Sequence, residues 1–343
     1  MLSSDIRPIG DRLCDNIERV MIGKSGEIRL ILAALLAGGH VLLEDVPGTG
    51  KTVLAKALAR SIDAGFRRVQ FTPDLLPSEL TGLNVYSPKT GDFNFRQGSL
   101  FTNILLADEI NRATPRTQSG LLESMEERQV SVDGVTYALP SPYFVIATQN
   151  PVETQGTFPL PEAQLDRFLV QLKLGYPDEN ESVLVLKRFV GEDADGRGHD
   201  ATQSQRSRQG VASQPLERLA PVCGMDELIA AIDVVRGVFI HDEVFRYIIR
   251  LAQATRTHES VTLGVSTRGC IALARLAQAH VALSGRAFVT PDDIKALVPA
   301  VFAHRLILRG GRQSFQSGKV LDDVLASVAA PVEDWPNPPV ASP

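Results

Sequence analysis

The chain has 343 residues, with 35 Lys and Arg against 40 Asp and Glu, which gives a formal charge of −5 at pH 7. Its hydrophobic fraction of 44% and charged fraction of 22% are typical of globular proteins and argue against a disordered, collagenous or disulfide-scaffold chain. The mild acidity makes nucleic acid an unfavoured partner.

Neither a membrane span nor a secretory signal is expected. The longest apolar stretch, 28–43, is interrupted by Arg29, by two glycines and by His40. The first twenty residues have no apolar core of the kind that signal peptides carry. The three cysteines are odd in number and far apart, which predicts buried free thiols in a reducing compartment: Cys14, Cys223 and Cys270. We therefore expect a cytoplasmic protein.

The first half of the chain alternates between helical and strand patterns. Apolar residues at helical spacing over 28–36 end at a Gly-Gly pair, and a short apolar run over 41–43 then leads through a glycine-rich loop into a helical segment at 51–59. Further buried-strand patterns lie at 68–71, 104–107, 143–148 and 168–174. This alternation predicts an α/β domain built on a five-stranded parallel sheet.

Two inserts look antiparallel within this parallel pattern. Residues 129–139 alternate in polarity around Asp133-Gly134, a strong hairpin signal, and 84–96 repeat the pattern around a Pro-Lys-Thr-Gly tip. The hairpins either decorate the sheet or project to contact a partner.

A second, smaller domain is predicted to follow a flexible linker. Between residues 192 and 214 the only large apolar side chain is Val211, so this stretch cannot form a core. Helical patterns follow at 225–236, 242–256, 267–284 and 291–303. The predicted domains are an α/β core at 1–190, a linker at 191–220, a small all-α domain at 221–330 and a disordered tail at 331–343.

The loop after the first strand carries the core of a phosphate-binding motif. Residues 45–52 read DVPGTGKT, and glycines between a strand and a helix let backbone N–H groups surround phosphate oxygens. In such loops Lys51 reaches the β and γ phosphates and Thr52 ligates Mg²⁺. Asp45 stands where the motif has its first glycine, which predicts an unfavourable carboxylate near the loop.

Polar side chains follow two later strands. Asp108 and Glu109 end the apolar run that begins at 104, and we assign Asp108 to the metal and Glu109 to the general base. Asn150 follows the strand pattern at 143–148, at a strand end where doubly wound sheets place their ligands. The alternatives are a solvated turn for the acidic pair and a turn-forming Asn before proline.

In this order the motifs resemble the AAA+ ATPases, and the MoxR family in particular, over about 17–310. The resemblance rests on GGHVLLEDVPGTGKT, FTPDLLPSELTG, LADEINRATPRTQSGLLESMEE, VIATQNPVETQGTFPLPEAQLDRF and HRLIL. It implies an α/β core with hairpin inserts and a helical lid. It also implies ATP and Mg²⁺ as cofactors and hydrolysis at the interfaces of a homo-oligomer, usually a hexamer.

The resemblance also implies residue roles. Asn150 matches sensor 1, Arg167 the arginine finger that reaches a neighbouring subunit, and Arg268 sensor 2 of the lid, although Thr267 replaces the family's usual proline. Other positions match nucleotide-binding residues: Ile22, Gly23, Pro47, Gly48, Thr49, Gly50 and Val53. For Arg167 and Arg268, an ordinary salt bridge or a surface charge stays open as the alternative.

The family implies chaperone-like maturation of protein complexes, with von Willebrand factor A domain proteins as partners. Three other functions stay open at this point. They are a metal-chelatase motor subunit, a nucleic-acid motor, and a nucleotide-gated assembly scaffold with little turnover.

Overall fold

The structure, a computed structural model, describes residues 5–46, 48–151, 156–190, 214–309 and 314–332. Pro47, residues 191–213 of the predicted linker and residues 333–343 of the predicted tail lie outside these ranges.

Strands and helices alternate up to residue 190, and helices dominate after residue 214. The strands are β1 Val41–Glu44, β2 Phe66–Gln70, β3 Gly82–Tyr86, β4 Phe93–Gln97, β5 Ile104–Asp108, β6 Gln129–Val132, β7 Val135–Ala138, β8 Phe144–Gln149, β9 Val170–Leu172, β10 Val261–Leu263 and β11 Ile307–Leu308. The α-helices are α1 Ile6–Glu18, α2 Ser25–Leu36, α3 Lys51–Ser61, α4 Pro77–Thr81, α5 Pro115–Glu127, α6 Glu162–Leu165, α7 Glu179–Val190, α8 Gln214–Glu217, α9 Met225–Val235, α10 Asp242–Thr257, α11 Thr267–Leu283, α12 Pro291–Phe302 and α13 Ser314–Ser327.

The five predicted strands form one parallel sheet in the order β2-β5-β8-β1-β9, which confirms the predicted α/β class. Glu44 pairs with Gln149, and Gln70 pairs with Asp108, so these strands end together. We call this the carboxyl edge of the sheet, and the side where the strands begin the amino edge. Asp108 ends β5, Glu109 and Asn150 directly follow β5 and β8, and the loop before Lys51 follows β1, so these predicted residues share the edge where parallel sheets usually bind ligands.

Helices cover both faces of the sheet. On one face a continuous apolar cluster runs from α1 and α2 through the sheet into the lid, where α11 packs against both of them. A second cluster on the other face joins the sheet to α5 and to β6. Helix α2 ends as predicted: Gly38 has a φ of +67°, and the N–H of Gly39 donates back to the carbonyl of Ala34.

Both predicted hairpins are present, as β3-β4 and β6-β7. Asp133 and Gly134 have φ values of +51° and +82°, the left-handed pair that a two-residue hairpin turn needs. The hairpins also contact each other. Phe95 stacks on Tyr137 with ring centroids 3.9 Å apart, and Asn84 donates to the Asp133 carboxylate at 2.7 Å.

The second domain contains the four predicted helices as α9 to α12, with ends within two residues of the expected ones. After residue 190 the structure contains four elements that were not predicted from the sequence. The short helix α8 lies inside the predicted linker, α13 follows the other lid helices, and β10 and β11 form a small antiparallel pair. The lid is therefore helical with one short β-ribbon.

Cys14, Cys223 and Cys270 are buried free thiols, and burial raises the pKa of Cys14 to about 11 and of Cys223 to about 12. Within the described ranges, no helix is long and apolar enough to cross a membrane.

Candidate active site

The loop between β1 and α3 has the backbone of a phosphate-binding loop. Gly48 and Gly50 have φ values of +89° and +88°, which residues other than glycine rarely adopt. Gly50 directly precedes the first turn of α3. Lys51 Nζ donates to the carbonyl oxygens of Asp45 at 3.1 Å and Val46 at 3.0 Å. The ammonium therefore lies over the loop, where a phosphate oxygen would be a stronger, charged acceptor.

Asp45, the departure from the motif, is bonded to backbone amides. Its Oδ2 accepts from the N–H groups of Leu174 at 2.7 Å and Gly175 at 3.0 Å, and its Oδ1 accepts from Val46 at 3.1 Å. Only 6% of Asp45 is exposed. The expectation of an unfavourable carboxylate is therefore wrong, because β9 ends beside β1 and supplies amides that compensate the charge.

Asp108 and Glu109 lie at the carboxyl edge, at the end of β5. Asp108 is buried, and it accepts from Thr148 Oγ1 at 2.7 Å and from the Arg68 guanidinium at 2.7 Å. Glu109 has a φ of +56°, a strained backbone for a residue other than glycine, and its N–H donates to Thr148 Oγ1 at 2.8 Å. The threonine thus orients both acidic residues.

The Glu109 carboxylate has two partners. Gln70 Nε2 donates to its Oε2 at 2.7 Å, and Arg112 Nε lies 3.2 Å from the same oxygen. Asn150 follows directly after β8, which lies between β5 and β1 in the sheet, and only 6% of it is exposed. The structure thus brings the loop, the acidic pair and Asn150 to one edge.

The segment that contains the predicted nucleotide-binding residues Ile22 and Gly23 lies beside the loop. A Cβ on Gly50 would be 3.2 Å from Met21 Cε, which places residues 20–23 against the phosphate-binding glycines. Gly23 has a φ of +72°, and a Cβ there would be 1.7 Å from Glu181 Oε1. The start of α7 therefore packs directly on this segment. Ile22 and Val53 are half-buried.

Arg167 and Arg268 come together, but not at the carboxyl edge. Arg167 Nε lies 2.9 Å and Arg268 Nη2 2.5 Å from the carboxylate of Glu126, near the end of α5. They line a cavity of about 250 Å³ whose wall includes the residues just before β1 and β9, among them His40 and Leu169. This is the amino edge, a strand length of about 13 Å from the phosphate loop of the same chain. Within one chain, Arg167 forms the salt bridge that the sequence left open as its alternative. Arg268, whose alternative was a surface charge on the lid, pairs with the same carboxylate.

Comparison with known proteins agrees with this architecture. The family model for the ATPase family associated with various cellular activities (AAA) matches residues 40–170, and the AAA lid domain model matches 253–328. The chain is 47% identical to the uncharacterized protein YeaC of Bacillus subtilis, with 96% of this chain and 97% of that one covered. It is 34% identical to chaperone MoxR1 of Mycobacterium tuberculosis, with 94% and 82% covered.

The chain belongs to the MoxR family of AAA+ ATPases. A crystal structure of a candidate ATPase from Cytophaga hutchinsonii has the same fold, with a TM-score of 0.82, 33% identity, and coverage of 96% of this chain and 97% of that one. The fold class, the lid and the family resemblance predicted from the sequence are thereby confirmed.

The residues present fit the cofactors that the MoxR family implies. Gly48 and Gly50 have left-handed backbones and carry no side chain that could obstruct a phosphate, and Thr52 lies in the first turn of the helix that follows. The buried carboxylate of Asp108 and the hydroxyl of Thr52 are oxygen donors of the kind that Mg²⁺ prefers. Pro47 and Thr49 were assigned to the same loop, and Pro47 lies outside the described residues.

The side chains that bond to the predicted acidic residues were not predicted from the sequence. Arg68 and Gln70 lie on β2, which pairs in register with β5, and Thr148 lies on β8. The available signal was a polar residue on the neighbouring strand beside each acidic residue. This signal can be used only when the order of the strands in the sheet is known. Glu126 was visible only as part of a family motif.

Proposed function

We propose that this protein hydrolyses ATP in a Mg²⁺-dependent reaction at the interfaces of a homo-oligomeric ring, a hexamer, and uses the lid to remodel client protein complexes. The proposal rests on one observation, the convergence of the phosphate loop, the acidic pair and Asn150 at the carboxyl edge. AAA+ family membership supports ATPase activity in general.

Each residue has a distinct part in the proposed reaction. Lys51 neutralises charge on the β and γ phosphates, and Thr52 and Asp108 would hold Mg²⁺, which supplies further neutralisation when bound. Glu109 accepts the proton of the attacking water, and Asn150 orients that water. Since Gln70 and Arg112 both contact Oε2 of Glu109, Oε1 is the oxygen that would accept the proton of the water.

The arginines support hydrolysis at a subunit interface. Arg167 and Arg268 lie at the amino edge, away from the loop of their own chain, and an arginine supplied to a transferring phosphoryl group is worth about 10³ to 10⁵ in rate. In a ring, this edge of one subunit would meet the carboxyl edge of the next. Glu126 would then give up the arginines to the γ-phosphate.

The proposed clients are protein complexes, with a von Willebrand factor A domain protein as partner. The name of chaperone MoxR1 supports a chaperone-like role. The hairpins offer a surface for contact, because Tyr86 and Phe93 are 53% and 70% exposed and pack on each other at the outer end of β3-β4.

The test is phosphate release by the purified full chain, with Mg²⁺ and with Mg²⁺ removed by chelation. We expect turnover that needs Mg²⁺, ATP binding without turnover in Glu109→Gln, and loss of ATP binding in Lys51→Ala. Negligible release by the unaltered chain with full ATP binding would replace the motor with a nucleotide-gated scaffold.

The client is tested by affinity capture with Glu109→Gln held in ATP, with Lys51→Ala as the control that cannot enter the ATP state. Recovery of a von Willebrand factor A protein together with a complex would support the proposal. Recovery of chelatase subunits, or of DNA in a salt-sensitive manner, would overturn the client assignment and leave the hydrolysis site intact.

A further inference from the structure

Asp166, which directly precedes Arg167, is held by two residues of the lid. Arg305 Nε donates to its Oδ1 at 2.7 Å, and Ser266 Oγ donates to its Oδ2 at 2.9 Å. Arg305 also donates to the backbone carbonyls of Asp166 at 3.2 Å and Phe168 at 2.6 Å. The lid therefore determines where the backbone on both sides of Arg167 lies.

The same carboxylate fixes the start of helix α11, which carries Arg268. Ser266 is the N-cap of α11: its Oγ accepts from the N–H of Gly269 at 3.2 Å while it donates to Asp166. Arg305 passes so close to this turn that a Cβ on Gly269 would be 2.9 Å from Arg305 Cδ. Asp166 thus links the two arginines: it directly precedes Arg167, and it bonds to Ser266, two residues before Arg268.

Burial makes this arrangement rigid. The side chain of Arg305 is 2% exposed and that of Asp166 is 19% exposed, and Arg305 makes further bonds to the carbonyls of Leu169 and Val301. A buried guanidinium that loses its carboxylate leaves an uncompensated charge, so the pair resists separation. The side chains of Arg167, Glu126 and Arg268 are more exposed, at 29%, 41% and 48%, so their pairs can exchange partners at lower cost.

We propose that Asp166, Ser266 and Arg305 are positioning residues that join the lid and residues 166–169 into one unit, which presents Arg167 and Arg268 together to the phosphate held by the neighbouring subunit. The proposal rests on the proposed function, because it takes the two arginines to act between subunits. None of the three residues lies at the carboxyl edge, so they act through the arginines.

The test removes the Ser266 hydroxyl and compares it with the loss of another cap. Ser266→Ala breaks the bond to Asp166 and uncaps α11, whereas Thr290→Ala uncaps α12, where Thr290 caps in the same way outside this cluster. We expect Ser266→Ala to lower kcat for phosphate release about tenfold with KM for ATP within about twofold, since the lost bond is to a charged group and the ATP-binding loop is untouched. Thr290→Ala should keep kcat, and Ser266→Thr, which keeps the hydroxyl, should restore it.

Two further measurements separate positioning from general weakening. In a chain that already carries Arg167→Ala and Arg268→Ala, Ser266→Ala should lower the residual rate no further. Mixing Ser266→Ala with Glu109→Gln should give more activity than the two separate rates add up to, because Glu109→Gln subunits supply intact arginines to intact loops. The proposal would be overturned if Ser266→Ala also lowered kcat tenfold in the chain without Arg167 and Arg268. It would likewise be overturned if Thr290→Ala lowered kcat as much as Ser266→Ala.

A readout that does not depend on turnover distinguishes this proposal from the proposed function. Hydrogen exchange of the full chain, followed in peptides that cover 160–172, should be faster in Ser266→Ala than in Thr290→Ala. If the unaltered chain releases no phosphate, the proposed function fails while this comparison still decides whether Ser266 orders the segment. Equal exchange in the two variants would overturn the positioning role.

Discussion

Gln70 on β2 donates its side-chain amide to Glu109 at the end of β5 at 2.7 Å, so a neighbouring strand holds the proposed general base. The bond lies at the carboxyl edge, beside the register pair of Gln70 with Asp108. It keeps one carboxylate oxygen of Glu109 from water. Gln70 therefore restrains the proposed base.

Gln70→Ala is expected to raise the basal rate of phosphate release about two- to tenfold, because an exposed hydrogen bond to a charged group contributes about 1 kcal/mol. The KM for ATP should stay unchanged. Steady-state phosphate release measures both, and Gln97→Ala, another exposed glutamine at a strand end, is the control. A fall in rate toward that of Glu109→Gln would show that Gln70 assists the base.

Arg167→Ala should lower kcat by about 10³ or more while nucleotide affinity stays within about twofold, because the arginine stabilises charge only during phosphoryl transfer. Arg246→Ala is the control, since Arg246 forms an exposed pair with Glu243 on the lid. Turnover and calorimetric binding of ADP report the two quantities. If Arg167→Ala lowered the ADP affinity of a monomeric sample by as large a factor as it lowers kcat, Arg167 would contact the nucleotide of its own chain.

Gly23→Ala and Gly91→Ala form a matched pair for stability. Both glycines have nearly the same left-handed φ, +72° and +74°, but only the Cβ at Gly23 meets a neighbour, the Glu181 carboxylate. Glu181 can move away only by giving up its bond from the N–H of Asp178, a capping interaction worth about 1 kcal/mol. We expect Gly23→Ala to cost about 1 kcal/mol more free energy of unfolding than Gly91→Ala.

Denaturant unfolding measures this difference. In a Glu181→Ala background the two glycine variants should cost the same. A difference that persists there would show that the carboxylate is not the obstacle.

Two substitutions of aspartate by glycine should change stability in opposite directions. Asp45→Gly, which restores the usual motif residue, removes the acceptor of three backbone amides and should cost about 2 to 3 kcal/mol, with no gain in ATP affinity. Asp63→Gly relieves an exposed residue whose φ is +49° and should be neutral or stabilise by up to about 1 kcal/mol. Denaturant unfolding and ATP titration decide, and a stable Asp45→Gly chain with tighter ATP binding would contradict the role given to Asp45.

His40 should make the folded state sensitive to acid. It is buried at the amino edge, where Nδ1 accepts from the N–H of Val145 at 3.1 Å and Nε2 therefore carries the proton that faces the carbonyl of Met125 at 3.0 Å. Burial lowers the pKa of His40 to about 4. The His40 imidazole therefore binds a proton more tightly in the unfolded chain than in the folded one. The stability that neutral His40 contributes is fully present above pH 6.5 and is lost as the pH falls toward 4.

Between pH 7 and pH 5 this linkage amounts to about 2 kcal/mol. Denaturant unfolding of the unaltered chain and of His40→Gln at both pH values isolates it, since all other groups are shared. The unaltered chain should lose about 2 kcal/mol more than the variant. Equal losses would mean that His40 is protonated in the folded state at pH 5.

The motifs in the sequence predict the sheet and one half of the proposed site. Strand patterns and glycine turns are local, so 41–43, 104–107 and 143–148 could be assigned from their own residues, and with them the edge that holds Lys51, Asp108 and Asn150. The partners of these residues could not be predicted in this way. Asp45 bonds to amides about 130 residues later, and Arg167 and Arg268 meet only because Glu126 lies between core and lid. Such relations depend on how the lid packs, which no single segment encodes.

The continuous apolar cluster between the first helices and the lid has a consequence for biosynthesis. Helices α1 and α2 bury their apolar faces partly against α11, whose first residue, Thr267, lies about 230 residues after Leu36, so at about 5–20 residues per second these faces wait on the order of 10–50 s for their partner. Until then the nascent chain exposes leucine- and isoleucine-rich surface at its leading end. Helices α1 and α2 thus need protection from aggregation while translation continues.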